Sequence, residues 1–399
     1  MKKVYIIGAK RTAIGSLGGS LKDISAVQLG VTASKAAMEH SGISPESVDE
    51  TIVGCILTAG QGMGPGRQVS VHSGVPEEKP GYTVNMLCGS GMKSVMIGAT
   101  DIMLDEADIV LAGGIENMSQ APYLLKGARF GFKLGHNEVL DHMVLDGLTD
   151  VFNNYHMGVT AENLAKKYSI SRYEQDEFAL KSQKKAKTAI DNGRFKDEIV
   201  PVVIKTRREE IVFDTDEHPR DTTLEKLGKL RPAFDKEGTV TAGNASGIND
   251  GASMTVIASE DAVKVNGLKP LAEIVAFSQV GVDPAYMGIG PVPAIRRLLE
   301  KTGVSIKDVG LFELNEAFAA QSLAVLKSIA EETGVSTDWL LERTNVNGGA
   351  IALGHPIAAS ANRIMVTLLY EMEKRNIEIG IASLCIGGGM GTAIMLKKL

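Results

Sequence analysis

An internal repeat limits the possible folds of this chain more strongly than its composition does. In both copies, a glycine-rich turn leads into a helical stretch, and an apolar run that ends in glycines follows. Self-similarity of this kind indicates a duplicated unit, so we predict two related halves. The matching segments are 43–50 and 304–309, 85–103 and 347–369, and 108–114 and 378–388.

Short runs of β-branched residues alternate with helical stretches, which is typical of an α/β fold with buried strands. In the second half, strand 379–385 leads through glycines directly into 392–396. In the first half, the charged stretch 119–247 separates strand 109–112 from its apparent partner, 252–258. We therefore predict that this stretch is an inserted domain. The predicted strands are 4–7, 51–57, 109–112, 271–277, 310–314 and 379–384.

These boundaries divide the chain into three predicted domains. They are an N-terminal half made of 1–118 and 248–268, an inserted domain 119–247, and a C-terminal half 269–399.

One helix of the inserted stretch has clear start and stop signals. Ser171 and Glu174 have the spacing of a capping box, and Asn192-Gly193 is a typical helix end. Its apolar face is predicted to be buried, and its lysines to form a solvated face. The apolar-face residues are Phe178, Ser182, Ala186, Ala189 and Ile190, and the lysines are 181, 184, 185 and 187.

Composition excludes several classes of protein. The formal net charge of −6 gives no general attraction to nucleic acid or to anionic membranes, so any phosphate-bearing ligand needs a local basic patch. No segment approaches the roughly 20 apolar residues of a membrane span. The three cysteines, an odd and sparse set, predict no disulfide framework and a reducing compartment. We expect a globular, cytoplasmic protein with neither a nucleic-acid nor a membrane partner.

Two of the cysteines lie in positions that suit chemistry. Cys88 lies in a turn of small residues before a helix, where a helix N-terminus stabilises a thiolate. Cys385 opens the glycine loop 386–391, whose backbone N–H groups can approach a ligand oxygen. Burial as a structural cysteine is an equally good interpretation of Cys88 alone. Cys55 lies within an apolar run, and we assign it to the core.

Two further polar residues occupy strand-to-loop junctions. His355 lies between Gly354 and Pro356, and Asn315 follows an apolar run at the edge where α/β folds bind ligands. Each also has a structural interpretation: His355 could be a structural histidine, and Asn315 could be a helix cap. Together with Cys88 and Cys385, however, they occupy equivalent junctions of a repeated unit. A thiol beside a base and a second proton-transfer group suits acyl transfer followed by carbon–carbon bond chemistry.

The sequence resembles the thiolase family in four blocks: 85–91 around Cys88, 315–318, 354–356, and 385–391. The resemblance extends along the chain through segments 11–15, 113–119, 155–158 and 241–247. The pair His156-Met157 is similar to the biosynthetic, acetoacetyl-CoA-forming branch. The resemblance implies a duplicated αβαβα layered fold with an inserted loop domain. It also implies an acyltransferase of lipid metabolism that condenses two acetyl-CoA molecules into acetoacetyl-CoA and CoA.

Carried over residue by residue, the resemblance implies that Cys88 is acetylated while His355 takes its proton. Cys385 then deprotonates a second acetyl-CoA, and Asn315 holds a water in one oxyanion site. The backbone N–H groups of Cys88 and Gly387 form the other. The residues implied to line the substrate and CoA pocket are Leu148, His156, Met157, Arg220, Ser246, Ala317 and Phe318.

The resemblance also implies that CoA thioesters are substrates and that neither a cofactor nor a metal is needed. It implies a homotetramer, a dimer of dimers, in which the loop 123–141 resembles the tetramerising loop of the family.

The chain departs from the family pattern after His355, where Ala358 and Ala361 replace the usual glycines. Alanine resists positive φ, so the His355 loop is either shifted or, if these positions are helical, undisturbed.

Three alternatives remain at this point. The first is a degradative 3-ketoacyl-CoA thiolase, and the second is a non-catalytic acyl-CoA binder. The third is a β-ketoacyl carrier-protein synthase, which would present histidine or asparagine in place of Cys385.

Overall fold

The computed structural model describes residues 2–399. Most strands belong to one mixed sheet with the order β15-β16-β17-β14-β1-β13-β5-β3-β4. The strands are β1 Val4–Thr12, β2 Gly15–Ser16, β3 Glu50–Gly54, β4 Gly81–Val84, β5 Ile109–Asn117, β6 Tyr123–Leu124, β7 Leu140–Asp141, β8 Thr149–Asp150, β9 Tyr155–His156, β10 Ile199–Val200, β11 Val202–Lys205, β12 Glu210–Phe213, β13 Asn249–Ser259, β14 Ala272–Gly281, β15 Leu311–Leu314, β16 Ile379–Ile386 and β17 Met390–Lys398.

Helices cover both faces of this sheet. They are α1 Ala26–Ser41, α2 Pro65–His72, α3 Ser90–Met103, α4 Met157–Lys167, α5 Arg172–Asp191, α6 Leu224–Gly228, α7 Glu260–Val265, α8 Pro291–Thr302, α9 Ala319–Thr333, α10 Thr337–Arg343, α11 Ala350–Leu353 and α12 Ile357–Arg375. Within residues 2–399, no helix combines the length and the apolar character needed to cross a bilayer.

The two halves of the sheet meet at a short antiparallel pairing between β1 and β14. Helices α3 and α12, which belong to matching segments of the repeat, pack against each other between the two halves. Helix α1 covers the outer face of the first half, and α8 and α9 cover that of the second. The predicted duplicated, layered αβαβα fold is confirmed.

The strands have the predicted places but different lengths. The run 51–57 forms a strand only over Glu50–Gly54, while 4–7 and 109–112 extend to Val4–Thr12 and Ile109–Asn117. The segment 109–112 pairs with 252–258, as predicted. The longer strands follow from pairing on both sides, because β1 and β5 lie inside the sheet, where neighbours satisfy their backbone groups.

The stretch 119–247 carries α4, α5, α6 and three short two-stranded ribbons. The predicted capping box is present, with Ser171 Oγ accepting from Glu174 N, and the helix ends at Asp191. A buried ion pair ties this stretch to β1: the guanidinium of Arg11 donates to both carboxylate oxygens of Asp216, at 2.8 and 2.9 Å.

The prediction of a fully solvated lysine face was wrong for one residue. Lys181, Lys184 and Lys187 are exposed, but Lys185 is partly buried. Its Nζ donates to the carbonyl oxygen of Thr344 at 3.0 Å. Burial lowers the pKa of Lys185. The residue is held by an acceptor distant in sequence, which helical periodicity does not reveal.

Candidate active site

A cavity of about 440 Å³ lies where strand ends of the two halves meet the inserted stretch. Cys88, His355 and Cys385, which are far apart in sequence, all line it. Every pocket residue proposed from the sequence lines it too: Leu148, His156, Met157, Arg220, Ser246, Ala317, Phe318 and Gly387. Asn315 does not line the cavity, but contacts His355 beside it.

Cys88 lies in a tight turn immediately before α3. Leu87 adopts a positive φ of 48°, which few non-glycine residues do, and the turn closes with Gly89 N donating to Met86 O at 3.1 Å. Burial raises the pKa of the Cys88 thiol to about 11, while a hydrogen bond from the backbone N–H of Gly387 partly offsets this rise. Cys88 is therefore a neutral thiol at pH 7 and needs a base to become a nucleophile.

Cys385 lies at the end of β16 and is almost fully buried against Met157, Ala317 and Phe318. Burial raises the pKa of its thiol well above the usual value, and the charge of Cys88 raises it further. Ionisation of Cys88 would therefore disfavour ionisation of Cys385. A thiolate formed at Cys385 would be a strong base, because its high pKa reflects the instability of its charge there.

Hydrogen bonds fix the His355 ring in one orientation. Its Nδ1 lies 2.5 Å from Ser360 Oγ, and the Ser360 hydroxyl donates to the carbonyl oxygen of Pro356 at 2.9 Å. Because that hydroxyl has a single proton, Nδ1 carries the ring proton and Nε2 is left as an acceptor. Burial lowers the pKa of His355 to about 4, and the charge of Arg363 contributes. The imidazole is thus a neutral base.

Asn315 extends the polar group beyond the ring. Its Nδ2 lies 3.5 Å from His355 Nε2, and its backbone N donates to Ser383 O at 3.1 Å. In the described part of the chain, its buried Oδ1 has no hydrogen-bond partner. A buried carbonyl of this kind is satisfied by a water or by a ligand donor, which suits the holding of a water near the ring.

The glycine loop after Cys385 brings backbone close to Cys88. Gly388 and Gly389 have φ values of 79° and 84°, a region that favours glycine. A Cβ at Gly387 would lie 3.2 Å from Leu87 Cδ1 and 3.6 Å from Met157 Sδ. The loop thus places the Gly387 N–H beside the Cys88 sulfur, where it can donate to an oxyanion.

The two alanines that depart from the family pattern are accommodated. Ala358 and Ala361 lie in α12, and neither has a positive φ. Both are fully buried. The neighbouring Asn362 accepts a hydrogen bond from Ser253 Oγ at 2.6 Å, which ties this part of α12 to β13. The alternative of a helical, undisturbed segment is the one that the structure shows.

Comparison with known proteins agrees with this geometry. The family models described as "Thiolase, N-terminal domain" and "Thiolase, C-terminal domain" match residues 4–261 and 268–398. The chain belongs to the thiolase family. It is 51% identical over 402 residues to an acetyl-CoA acetyltransferase of Syntrophomonas wolfei subsp. wolfei, with 100% of both chains covered.

Solved structures of other thiolases superimpose closely. A Bacillus anthracis acetyl-CoA acetyltransferase has a TM-score of 0.96 at 47% identity, with 100% of this chain and 99% of that chain covered. Human mitochondrial 3-ketoacyl-CoA thiolase has a TM-score of 0.94 at 46% identity, with the same coverage. The two relatives carry names from different branches of the family.

Several residues lining the cavity of this thiolase were not singled out from the sequence, and Phe234 and His218 are two of them. Phe234 stacks on His156 with ring centroids 4.5 Å apart, and meets Phe318 edge-on at 6.1 Å. His218 lies two positions before Arg220, and burial lowers its pKa to about 4. Nearness to Arg220 was a usable signal for His218. Phe234 lies outside any helix or strand, and no sequence pattern indicated that it lines the site.

Among residues 2–399, no cluster of three or more histidine, cysteine, aspartate or glutamate side chains is arranged to hold a metal ion.

Proposed function

We propose that this thiolase is an acetyl-CoA C-acetyltransferase that condenses two acetyl-CoA molecules reversibly into acetoacetyl-CoA and CoA. The observation that carries the proposal is the single cavity lined by two thiols and a neutral imidazole. The names of the Syntrophomonas and Bacillus relatives support the choice of acetyl-CoA as substrate.

In the first half-reaction, Nε2 of His355 takes the proton of Cys88 as the sulfur attacks the thioester carbonyl of acetyl-CoA. The tetrahedral intermediate places its negative charge on oxygen, next to the N–H of Gly387. Collapse expels the CoA thiolate, which receives the proton from His355. The products are acetyl-Cys88 and free CoA, and both His355 and Cys385 are back in their starting forms. A ping-pong sequence follows from this covalent intermediate.

In the second half-reaction, Cys385 gives its proton to His355 and the resulting thiolate removes a proton from the methyl group of a second acetyl-CoA. The imidazolium and the water held by Asn315 stabilise the enolate oxygen. The enolate carbon attacks the acetyl group on Cys88, and collapse expels the Cys88 thiolate. Acetoacetyl-CoA is released, and the Cys88 thiolate takes the proton that His355 received from Cys385. Cys385 keeps the proton from the methyl group, so every group returns to its starting state.

The walls of the cavity indicate how CoA is held. The apolar residues Leu148, Met157, Ala317 and Phe318 suit the pantetheine arm, and Ser246 offers a polar contact. Arg220 is a cation lining the same cavity and suits the phosphates of the nucleotide. Its positive charge supplies the local basic patch that an acidic chain needs for a phosphate-bearing substrate. We assign CoA binding mainly to the inserted domain, 119–247, with Ala317 and Phe318 contributed by the C-terminal half.

A second candidate is a 3-ketoacyl-CoA thiolase of broader chain length, which the 46% identity to the human mitochondrial enzyme supports. His156 and Phe234 stack on each other and both line the cavity, and we infer that this pair limits the length of the acyl group.

We further propose a cytoplasmic homotetramer acting in lipid metabolism, with the loop 123–141 as the tetramer contact. Within this loop, Phe130 and Leu134 are 92% and 108% exposed, more than a lone soluble subunit usually leaves in one segment. Light scattering of the wild type beside Phe130→Ser with Leu134→Ser tests this, since the double variant should form dimers.

Steady-state assays of thiolysis distinguish the two activities. Acetoacetyl-CoA should be cleaved with a higher kcat/KM than 3-ketoacyl-CoA substrates of six to sixteen acyl carbons. The reverse preference would replace the proposal with the degradative activity. Binding of CoA without any cleavage or condensation would replace it with a non-catalytic binder.

A further inference from the structure

A glutamate that the proposed mechanism does not use binds the backbone of two segments that adjoin the cavity. Glu116, in β5, is fully buried. Within residues 2–399, its hydrogen-bond partners are backbone N–H groups and the Cys55 thiol, with no cation among them. Buried carboxyl groups without a cation are costly, so such a group is retained only where its hydrogen bonds compensate.

The carboxyl group joins two segments that are distant in sequence. Its Oε1 accepts from Leu57 N at 3.1 Å, in the loop after β3. Its Oε2 accepts from Ala358 N at 3.1 Å and from Ile56 N at 3.4 Å. Ala358 belongs to the first turn of α12, three residues after His355. A negative group there also interacts favourably with the N-terminal end of the helix dipole.

The segments that Glu116 joins belong to the apolar cluster that forms part of the cavity wall. Leu57, Ile357 and Ala358 belong to one buried apolar cluster, and Cys88 and Leu148 pack against it. Ile357 and Leu148 also line the cavity. A shift in the first turn of α12 would therefore move His355 relative to Cys88, and misplacement by about 1 Å is enough to cost roughly 100-fold in rate.

We propose that Glu116 is a positioning residue for His355 and Cys88, because its buried carboxyl group fixes the first turn of α12 against the loop 55–57. This inference rests on the proposed function, in which these two side chains exchange a proton. Glu116 itself contacts neither substrate nor reacting atoms.

Electrostatics give the proposal a distinctive signature. Burial raises the pKa of Glu116 to about 7, although the N–H donors of Leu57, Ala358 and Ile56 oppose this rise. Two titratable groups face it: Cys55, with Sγ 3.8 Å from Oε1, and Cys88, whose pKa the Glu116 charge raises. Removing the charge therefore has two opposite effects. Loss of the negative charge should ease ionisation of Cys88. Weaker hydrogen bonds to the first turn of α12 should let that turn move and so slow acyl transfer.

The test compares Glu116→Gln with the wild type in three measurements. We expect kcat for condensation to fall by about 10- to 100-fold with KM for acetyl-CoA within about twofold. We expect alkylation of Cys88 by iodoacetamide at pH 8.5, followed by mass spectrometry, to become about twofold to threefold faster. Thermal unfolding, measured in parallel, shows whether the variant is folded.

Asp49→Asn is the matched control, since it makes the same acid-to-amide change at the opposite end of β5. Asp49 Oδ2 accepts from the backbone N of Asp108 and of Ile109, each at 3.0 Å, far along the strand from the cavity. We expect its kcat within about twofold of wild type.

A folded Glu116→Gln with normal kcat, or an equal loss in Asp49→Asn, would overturn the proposal. Should Glu116→Gln not fold, Glu116→Asp decides. It keeps the charge but is one methylene shorter, so kcat should fall while alkylation stays at the wild-type rate. Alkylation needs no acetyl transfer. A wild type that never condenses acetyl-CoA would therefore defeat the proposed function and leave the alkylation test of Glu116 intact.

Discussion

Replacing Cys385 by serine should separate the two half-reactions. The substitution exchanges sulfur for oxygen in a site that is almost fully buried against Met157, Ala317 and Phe318, so packing changes little. The Gly387 N–H that bonds the Cys88 sulfur belongs to the backbone and remains. His355 and its hydrogen bond to Ser360 also remain. Acetylation of Cys88 should therefore stay within about threefold of the wild-type rate.

Condensation, in contrast, loses its base. A positioned general base contributes about 100- to 10,000-fold, which corresponds to about 3–5 kcal/mol in activation free energy. A serine hydroxyl is far less acidic than a thiol and is not ionised by a neutral imidazole. The loss in the second half-reaction should therefore reach this full range.

Two assays on the same preparation measure the two steps. Exchange of isotopically labelled CoA into acetyl-CoA requires only acetylation and its reversal. Formation of acetoacetyl-CoA requires both half-reactions. Equal losses in exchange and in condensation would refute the assignment of Cys385 as the carbon base, because the serine would then be impairing acetylation itself.

Three other perturbations have defined outcomes. Folding lowers the pKa of His355 from 6.5 to about 4. The contribution of His355 to the free energy of unfolding is therefore fully present above pH 6.5 and is lost as the pH falls towards 4. Urea unfolding at pH 7.5 and 5 should show wild type losing about 2 kcal/mol more than His355→Gln, and equal losses would contradict a neutral ring. Asp216→Ala leaves the buried Arg11 short of a partner and should cost about 3–5 kcal/mol in the same assay; less than 1 kcal/mol would contradict that ion pair. Arg220→Gln should raise KM for acetyl-CoA about tenfold or more but leave acetyl-pantetheine unaffected, and equal effects on both would remove Arg220 from the nucleotide.

Much of the fold was predictable because residues close together in sequence make the repeated segments recognisable. The glycine-rich turns before α3 and α12 and the apolar runs of β5 and β16 depend on neighbours in sequence, so their pattern survives in a single chain. The capping box of Ser171 is local in the same way. Strand length was less predictable, since it depends on pairing with strands from distant segments.

The candidate site was predictable where a reactive side chain lies at a recognisable glycine-flanked turn. Cys88, His355 and Cys385 occupy glycine-flanked junctions, and the structure places all three on one cavity. Phe234 and Glu116 were not singled out as site residues, because their importance lies in tertiary contacts. Phe234 acts through a ring stacked on it from another segment, and Glu116 through backbone donors more than 50 positions away.

Intact-mass analysis after brief exposure to acetyl-CoA tests the central claim most directly. The wild type should gain one acetyl group that peptide mapping places on Cys88, and addition of CoA should remove it. Cys88→Ala should gain none while still binding CoA. An acetyl group on any other residue, or none on the wild type, would contradict the account of Cys88 as the acyl carrier.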